Sequence, residues 1–307
     1  MIHQTSGRWR LGLILSLITS FLWGILPIGL TITLQKLDVY TVVWFRFLMS
    51  FIILLIYLTA TKKLPNFPEL QNTSTKLLAT STIFLAINYF LFMQGLALTA
   101  PANAELIIQL AQVLLSFGGL FIFKERYTLY QWLGVGILTT GFSLFFHAQI
   151  TNILTSKGQY LLGSGLIVLG AIAWAIYALT QKQLLTSLNS TKITLVIYGG
   201  CALLFTPFAK ISTLFTLDIF HLIILLFCGL NTLIAYGAFA ESLEHWQASR
   251  VSAVLSLAPI FTLIFVYIIN SSFHNIIPPE HITLIGIIGA FLVVIGSISI
   301  ALGKIDS

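Results

Sequence analysis

Charge is what this 307-residue sequence has least of. Asp, Glu, Lys and Arg together make up 8% of it, while 58% is hydrophobic and the mean hydropathy is +0.99. A water-soluble domain of this length cannot clothe its surface with so few charges, so that class is excluded. Cysteine is nearly absent too. Cys201 and Cys228 both fall inside apolar runs, which marks them as packing residues that say little about redox compartment. No G-x-x-x-x-G-K-[ST], H-E-x-x-H or G-x-S-x-G occurs, so the chain alone carries no signature of ATP hydrolysis, zinc proteolysis or a nucleophile elbow. The G-S-G at 163–165 lies within an apolar run and reads as helix packing. No metal-ligand pair and no cofactor motif is visible.

What the chain has instead is ten long apolar runs, near 11–33, 40–60, 77–98, 102–123, 128–146, 159–180, 192–210, 219–240, 248–270 and 282–302. Each approaches the ~20 residues that a helix needs to cross the hydrocarbon core. Runs such as LIGIIGAFLVVIGSISIAL (284–302) do not alternate, so a β-barrel is rejected. The fold class is therefore all-α and integral to the membrane, with the lipid bilayer as partner and no separate soluble domain. The first run follows Arg8 and Arg10. It is too long for a signal-peptide core, carries Trp23 and Pro27, and is read as a retained helix.

The net charge of +6 is topological. With the N-terminus inside, eleven Lys and Arg, Lys182 among them, fall in inner loops and three in outer loops, while Arg46 lies within the second run. Both termini are then expected in the cytoplasm of a multi-pass plasma-membrane protein, as in a bacterial inner membrane. Nucleic-acid binding is set aside.

The two halves match. Trp23 corresponds to Trp174, and Tyr89, Leu96 and Ala111 correspond to Tyr236, Leu243 and Ala258 at an offset of 147 residues. Glu125, Gly134 and Gly141 correspond to Glu280, Gly289 and Gly296 at an offset of 155, which places an insertion near 270–275. Five spans per half is an odd number, so the second half enters from the opposite side. The expected architecture is two inverted five-helix repeats, at 8–147 and 158–303, an arrangement typical of transporters.

SFLWGILPIGL (20–30), FRFLMSFIILL (45–55), NYFLFMQGLALTAPANAELI (88–107) and FKERYTLYQWLGVGILTTGF (123–142) carry a resemblance, continued by AWAIYALTQK (173–182) and ASRVSAVLSLAPIF (248–261). In their order and doubling these segments resemble the EamA domain of the drug/metabolite transporter superfamily. Gln112 stands where that family often has the proline that appears here as Pro259. The resemblance implies a membrane transporter rather than an enzyme, exporting or exchanging amino acids or related metabolites and drugs.

A polar side chain deep in a span is costly and tends to face a cavity or a neighbouring helix. None of the nine acids is at the centre of a run, which argues against transport through a buried midplane carboxylate. Glu105, Gln109 and Gln112 share one helical face at i, i+4, i+7. Asn88 and Tyr89 lie mid-run in the first half; Asn231, Tyr236 and Ser256 hold comparable places in the second, and Trp23, Trp174 and Tyr177 add aromatic surface. These are the candidate substrate-binding residues. They suit an amphipathic small molecule, with aromatic amino acids as a first test. The alternative reading is that the amides and hydroxyls join helices.

Pro27 and Pro259 are candidate hinges and Arg46 a candidate gate. Arg46 either pairs with Glu105, as an outer gate or an anchor for a zwitterion, or snorkels alone. Glu125, beside Lys124 and Arg126, reads as a solvated helix end. A lipid-modifying membrane enzyme would need a nucleophile, metal site or acid pair at one depth, and none is seen. A non-transporting scaffold would not need buried polar residues in both halves.

Overall fold

The computed structural model describes residues 5–147, 150–151, 158–272 and 283–302. Among them there is no strand. Among the described residues twelve α-helices follow in order: α1 (Trp9–Thr33), α2 (Val39–Ala60), α3 (Phe67–Asn72), α4 (Thr75–Leu98), α5 (Pro101–Phe121), α6 (Leu129–Phe145), α7 (Gln159–Leu184), α8 (Ser190–Phe205), α9 (Ile219–His245), α10 (Ala248–Leu255), α11 (Ala258–Ser272) and α12 (Leu284–Leu302), with two short 3-10 turns, Thr206–Phe208 and Ile211–Thr216, between α8 and α9. Side-chain caps fix several starts. Asp38, Asn189 and Asp218 accept from backbone N–H groups of the first turns of α2, α8 and α9, and Thr128 with Gln131 forms a capping box on α6. Pro101 opens α5, where its missing N–H costs nothing.

Among the described residues, nine segments are long and apolar enough to cross a membrane. The expected tenth, α6, has 17 residues, or about 25 Å at the helical rise, short of a ~30 Å core. The expected ninth span is interrupted. Pro259 cannot donate to the carbonyl of Leu255, and the chain turns at Ser256–Leu257 between α10 and α11. Gln112, with a normal N–H, stands at the matching place in α5, which is unbroken. Pro27 sits inside α1, which also stays continuous. The insertion near 270–275, along with Glu280, falls largely outside the described residues.

Three pairs of helices, α6 with α12, α2 with α8 and α5 with α10, pack against each other and run antiparallel. In α6 and α12, a Cβ on Gly134 would lie 3.2 Å from the Gly296 carbonyl oxygen, and one on Gly289 would lie 2.7 Å from that of Gly141. Glycine at these points lets the two backbones meet. Gln131 Nε2 closes the same interface on the Ile300 carbonyl (3.0 Å). In α2 and α8, Trp44 Nε1 donates to Thr206 Oγ1 just past α8 (3.1 Å), while Gly199 faces Phe51. In α5 and α10, the Ser116 and Ser252 hydroxyls are 2.5 Å apart and Gly119 faces Ser249. Two further extensive contacts also join the halves: α4 packs on α7 and α9 on α1. Ile14, Phe21, Ile56, Leu133, Phe291 and Ile295 are exposed on the outside, where lipid tails would surround them.

Candidate functional site

A cavity opens among α1, α2, α4, α5, α7, α9 and the α10–α11 turn, with ≈ 620 Å³ of empty space including the part that opens outward. Its wall is aromatic. The Trp23 ring lies 5.6 Å from Trp174 and 5.0 Å from Tyr236, and Tyr89 lies 5.4 Å from Tyr236. Leu26, Leu30, Phe92, Ile108, Leu255 and Ala258 complete the apolar lining. One face of α5 supplies Glu105, Gln109 and Gln112, all buried from bulk solvent. Buried polar atoms on the lining residues without a protein hydrogen-bond partner include Trp23 Nε1, Gln109 Oε1 and Gln112 Oε1. Unmade bonds of this kind are costly in a dry interior and suit a site that binds polar groups.

Arg46 is 2% exposed. Its guanidinium stands 4.5 Å over the Tyr89 ring, and its Nε donates to Thr232 Oγ1 (2.9 Å). The Arg46–Glu105 ion pair does not form; no carboxylate lies within 4 Å of Arg46 and no cation within 4 Å of Glu105 among the described residues. Thr232 and the Tyr89 ring hold the guanidinium on the α4–α9 side of the cavity. Snorkelling to the interface is not seen either.

Ten of the fourteen residues singled out in the sequence thus line one space: Trp23, Pro27, Arg46, Asn88, Tyr89, Glu105, Gln109, Gln112, Trp174 and Tyr236. Four do not. Tyr177 lies behind the wall against Trp174 and Tyr236, at 6.3 and 6.1 Å between ring centres. Asn231 Nδ2 donates to the Leu22 carbonyl (2.7 Å), joining α9 to α1. Ser256 Oγ bonds its own helix at the Ser252 carbonyl (3.0 Å), and Pro259 adjoins the lining residue Ala258 at the helix break. Asn88 does both jobs, since its Nδ2 also donates to the Gly170 carbonyl of α7 (3.0 Å). The described residues contain no cluster of three metal-ligating side chains.

The end of the bundle that carries the chain termini is held differently. Contacts from Gly12 to Trp246 and from Arg250 to the Ala301 carbonyl place the start of α1, the end of α9, α10 and the end of α12 together there. Glu125 is not a solvated helix end. Its carboxylate is 6% exposed and pairs with Lys182 Nζ at 2.7 Å. Lys182, counted in the sequence among the loop cations, is 1% exposed and lies in α7. A periodic signal was present: Trp174, Ala178 and Lys182 are four residues apart on one buried face. Burial pushes the Glu125 carboxyl up, but the Lys182 charge and the hydrogen bonds from Lys182 and Ser249 together hold it below the ordinary carboxylate value.

The EamA-like transporter family matches the chain twice, over residues 10–146 and 161–302. An uncharacterized transporter of Haemophilus influenzae is 36% identical over 293 residues, covering 95% of each chain. The uncharacterized inner membrane transporter YhbE of Escherichia coli K12 is 35% identical over 294 residues, covering 95% of this chain and 92% of the relative. A solved crystal structure, 14% identical, superposes with a TM-score of 0.73 over 95% of this chain and 97% of its own, which is a likeness of fold. The chain belongs to the EamA-like transporter family.

Proposed function

We propose that this EamA-family membrane transporter carries a small zwitterionic metabolite with an apolar or aromatic part, amino acids being the first class to test, and that it works by alternating access between two inverted repeats, 8–147 and 158–303. The carrying observation is that the buried Arg46 guanidinium and the buried Glu105 carboxyl group line one aromatic cavity without touching each other. Leaving a charge buried and unpaired is expensive. A carboxylate seated at Arg46 and an ammonium at Glu105 would relieve both, with Gln109 and Gln112 accepting further N–H groups and Trp23 and Trp174 covering the side chain. The inverted repeat is supported by the antiparallel packing of α2 with α8, α5 with α10 and α6 with α12, and by the twofold family match. The loop charges favour cytoplasmic termini and a bacterial inner membrane, and export or exchange as the mode.

The test is counterflow of labelled amino acids into liposomes holding the purified protein, with and without a pH gradient, alongside labelling of a cysteine at Ser307 by an impermeant reagent in intact cells. Counterflow of an aromatic or other apolar amino acid, lost in Arg46→Gln, supports the reading. Absence of counterflow for every amino acid under either gradient overturns the substrate class, and labelling of Ser307→Cys from outside overturns the topology.

A further inference from the structure

We infer that Glu125 is a positioning residue for transport: it latches the terminus-bearing end of the bundle shut while the cavity faces the other end. The inference rests on alternating access as read above, and not on the identity of the substrate.

One carboxylate ties three separate elements. Glu125 Oε1 accepts from Lys182 Nζ of α7 (2.7 Å) and from the Ala248 N–H (2.8 Å). Oε2 accepts from the Ser249 N–H (3.0 Å) and the Ser249 hydroxyl. The two backbone donors are the first N–H groups of α10, where an anion is favoured. Glu125 itself is on the loop between α5 and α6. Space for it is left by Gly119, on which a Cβ would stand 2.6 Å from Oε2. The Lys182 ammonium rests 4.8 Å over the Phe123 ring.

The latch lies directly under the cavity. Gln112 and Leu255 belong to the cavity lining. One turn nearer the termini the Ser116 and Ser252 hydroxyls meet, and a further turn on Gly119 meets Ser249. From Gln112 to Gly119 is about 10 Å along the helix. At these two points the seam between α5 and α10 is made of small residues, Ser116 against Ser252 and Gly119 against Ser249, and the buried Tyr127 phenol closes it beside Ser116 and Ser249. The seam also has a ready hinge. α10 is an independent eight-residue helix, cut from α11 by the turn at Ser256–Leu257. Swinging α10 away from α5 would break the three bonds that α10 makes to Glu125, leave the Lys182 pair in place and admit water to the same face, and that water would solvate both Lys182 and the carboxylate. The closed arrangement is thus a set of contacts made in one state and replaced by hydration in the other, which is what a conformational equilibrium requires.

The experiment uses the full-length protein in nanodiscs and reads thiol labelling at two single-cysteine positions, without substrate. Ser252→Cys reports the seam, and Gln109→Cys reports the cavity. In the parent, Ser252→Cys is expected to label slowly and Gln109→Cys quickly. Adding Glu125→Gln is expected to speed labelling at 252 by about tenfold, the effect of roughly 1.4 kcal/mol on an equilibrium, and to slow labelling at 109. That reciprocal change separates a shift of the transport equilibrium from local fraying, which would not slow the cavity site. Lys182→Arg, which keeps the charge, should retain slow labelling at 252. Unchanged labelling at 252 in a folded Glu125→Gln protein, or acceleration at 252 without slowing at 109, overturns the inference. Failure of amino-acid counterflow alone would bear on the substrate and leave this result standing.

Discussion

Gln112→Leu separates binding from folding. The Gln112 side chain is buried on the face of α5 that lines the cavity, and its Oε1 has no protein hydrogen-bond partner. A buried acceptor left unpaired costs about 1–3 kcal/mol. Leucine has a similar volume and no polar atom, so the folded protein should gain up to about that amount. The substrate loses one hydrogen bond, worth about 0.5–1.5 kcal/mol net, so apparent affinity should weaken by roughly 2- to 13-fold. The same reasoning applies to Gln109→Leu. Thermal unfolding in detergent reads the first effect, and the substrate dependence of counterflow reads the second. An unfolding temperature clearly below the parent's, with unchanged counterflow, would refute the argument and make the amide a structural link between helices.

Three further outcomes follow from the packing and the charges. Gly141→Val should destabilise by about 1–3 kcal/mol of overpacking, because a Cβ there would lie 2.6 Å from the Val293 nitrogen; Gly136→Ala, with nothing within 4 Å, should be neutral or slightly stabilising in the same unfolding assay. Lys124 adopts a φ of 56° at the turn that brings Glu125 back toward α10, so Lys124→Gly should raise stability by roughly 0.5–1 kcal/mol in that assay. The Glu125 carboxyl titrates below its ordinary value of 4.5 in the folded protein, so its contribution is complete above about pH 4.5 and lost as pH falls through the lower folded value. Unfolding temperature measured from pH 7 downward should therefore drop more steeply for the parent than for Glu125→Gln.

Most of the fold was legible because lipid imposes a strict length and polarity on each crossing helix. The runs around α1, α2, α4 and α7 declare themselves on that basis alone. The exceptions have local causes. α6 is short, and Pro259 splits the ninth run where Gln112 leaves its counterpart whole. In the site, the Glu105–Gln109–Gln112 face was legible from spacing, since three polar residues on one stripe of an apolar helix need a common polar surface. Asn231 and Asn88 were alike in sequence and differ in place, because rotation of the helix about its axis decides whether an amide meets a cavity or a carbonyl. Glu125 and Lys182 were misread because both sit at helix ends, where charge is ordinarily solvated. Their burial depends on α10, a helix more than sixty residues from either of them, folding back over the pair.

That long-range contact also bears on why the two halves differ. In the proposed repeat, α5 and the α10–α11 pair are counterparts and pack antiparallel across the seam below the cavity. If both were continuous, parting them would require two rigid rods to tilt, disturbing the packing of α5 against α7 and of α11 against α1 together. Placing the break in one partner confines the movement to eight residues, and α5 remains a fixed rod carrying Glu105, Gln109 and Gln112. The binding residues then keep their mutual geometry while the seal beneath them opens. The split between a rigid polar face and a short hinged helix follows from one sequence difference, glutamine at 112 and proline at 259. Restoring continuity with Pro259→Ala should accordingly leave the cavity residues in place and slow labelling at Ser252→Cys in the Glu125→Gln background. Labelling as fast as with proline would show that the seam opens by tilting the whole helix.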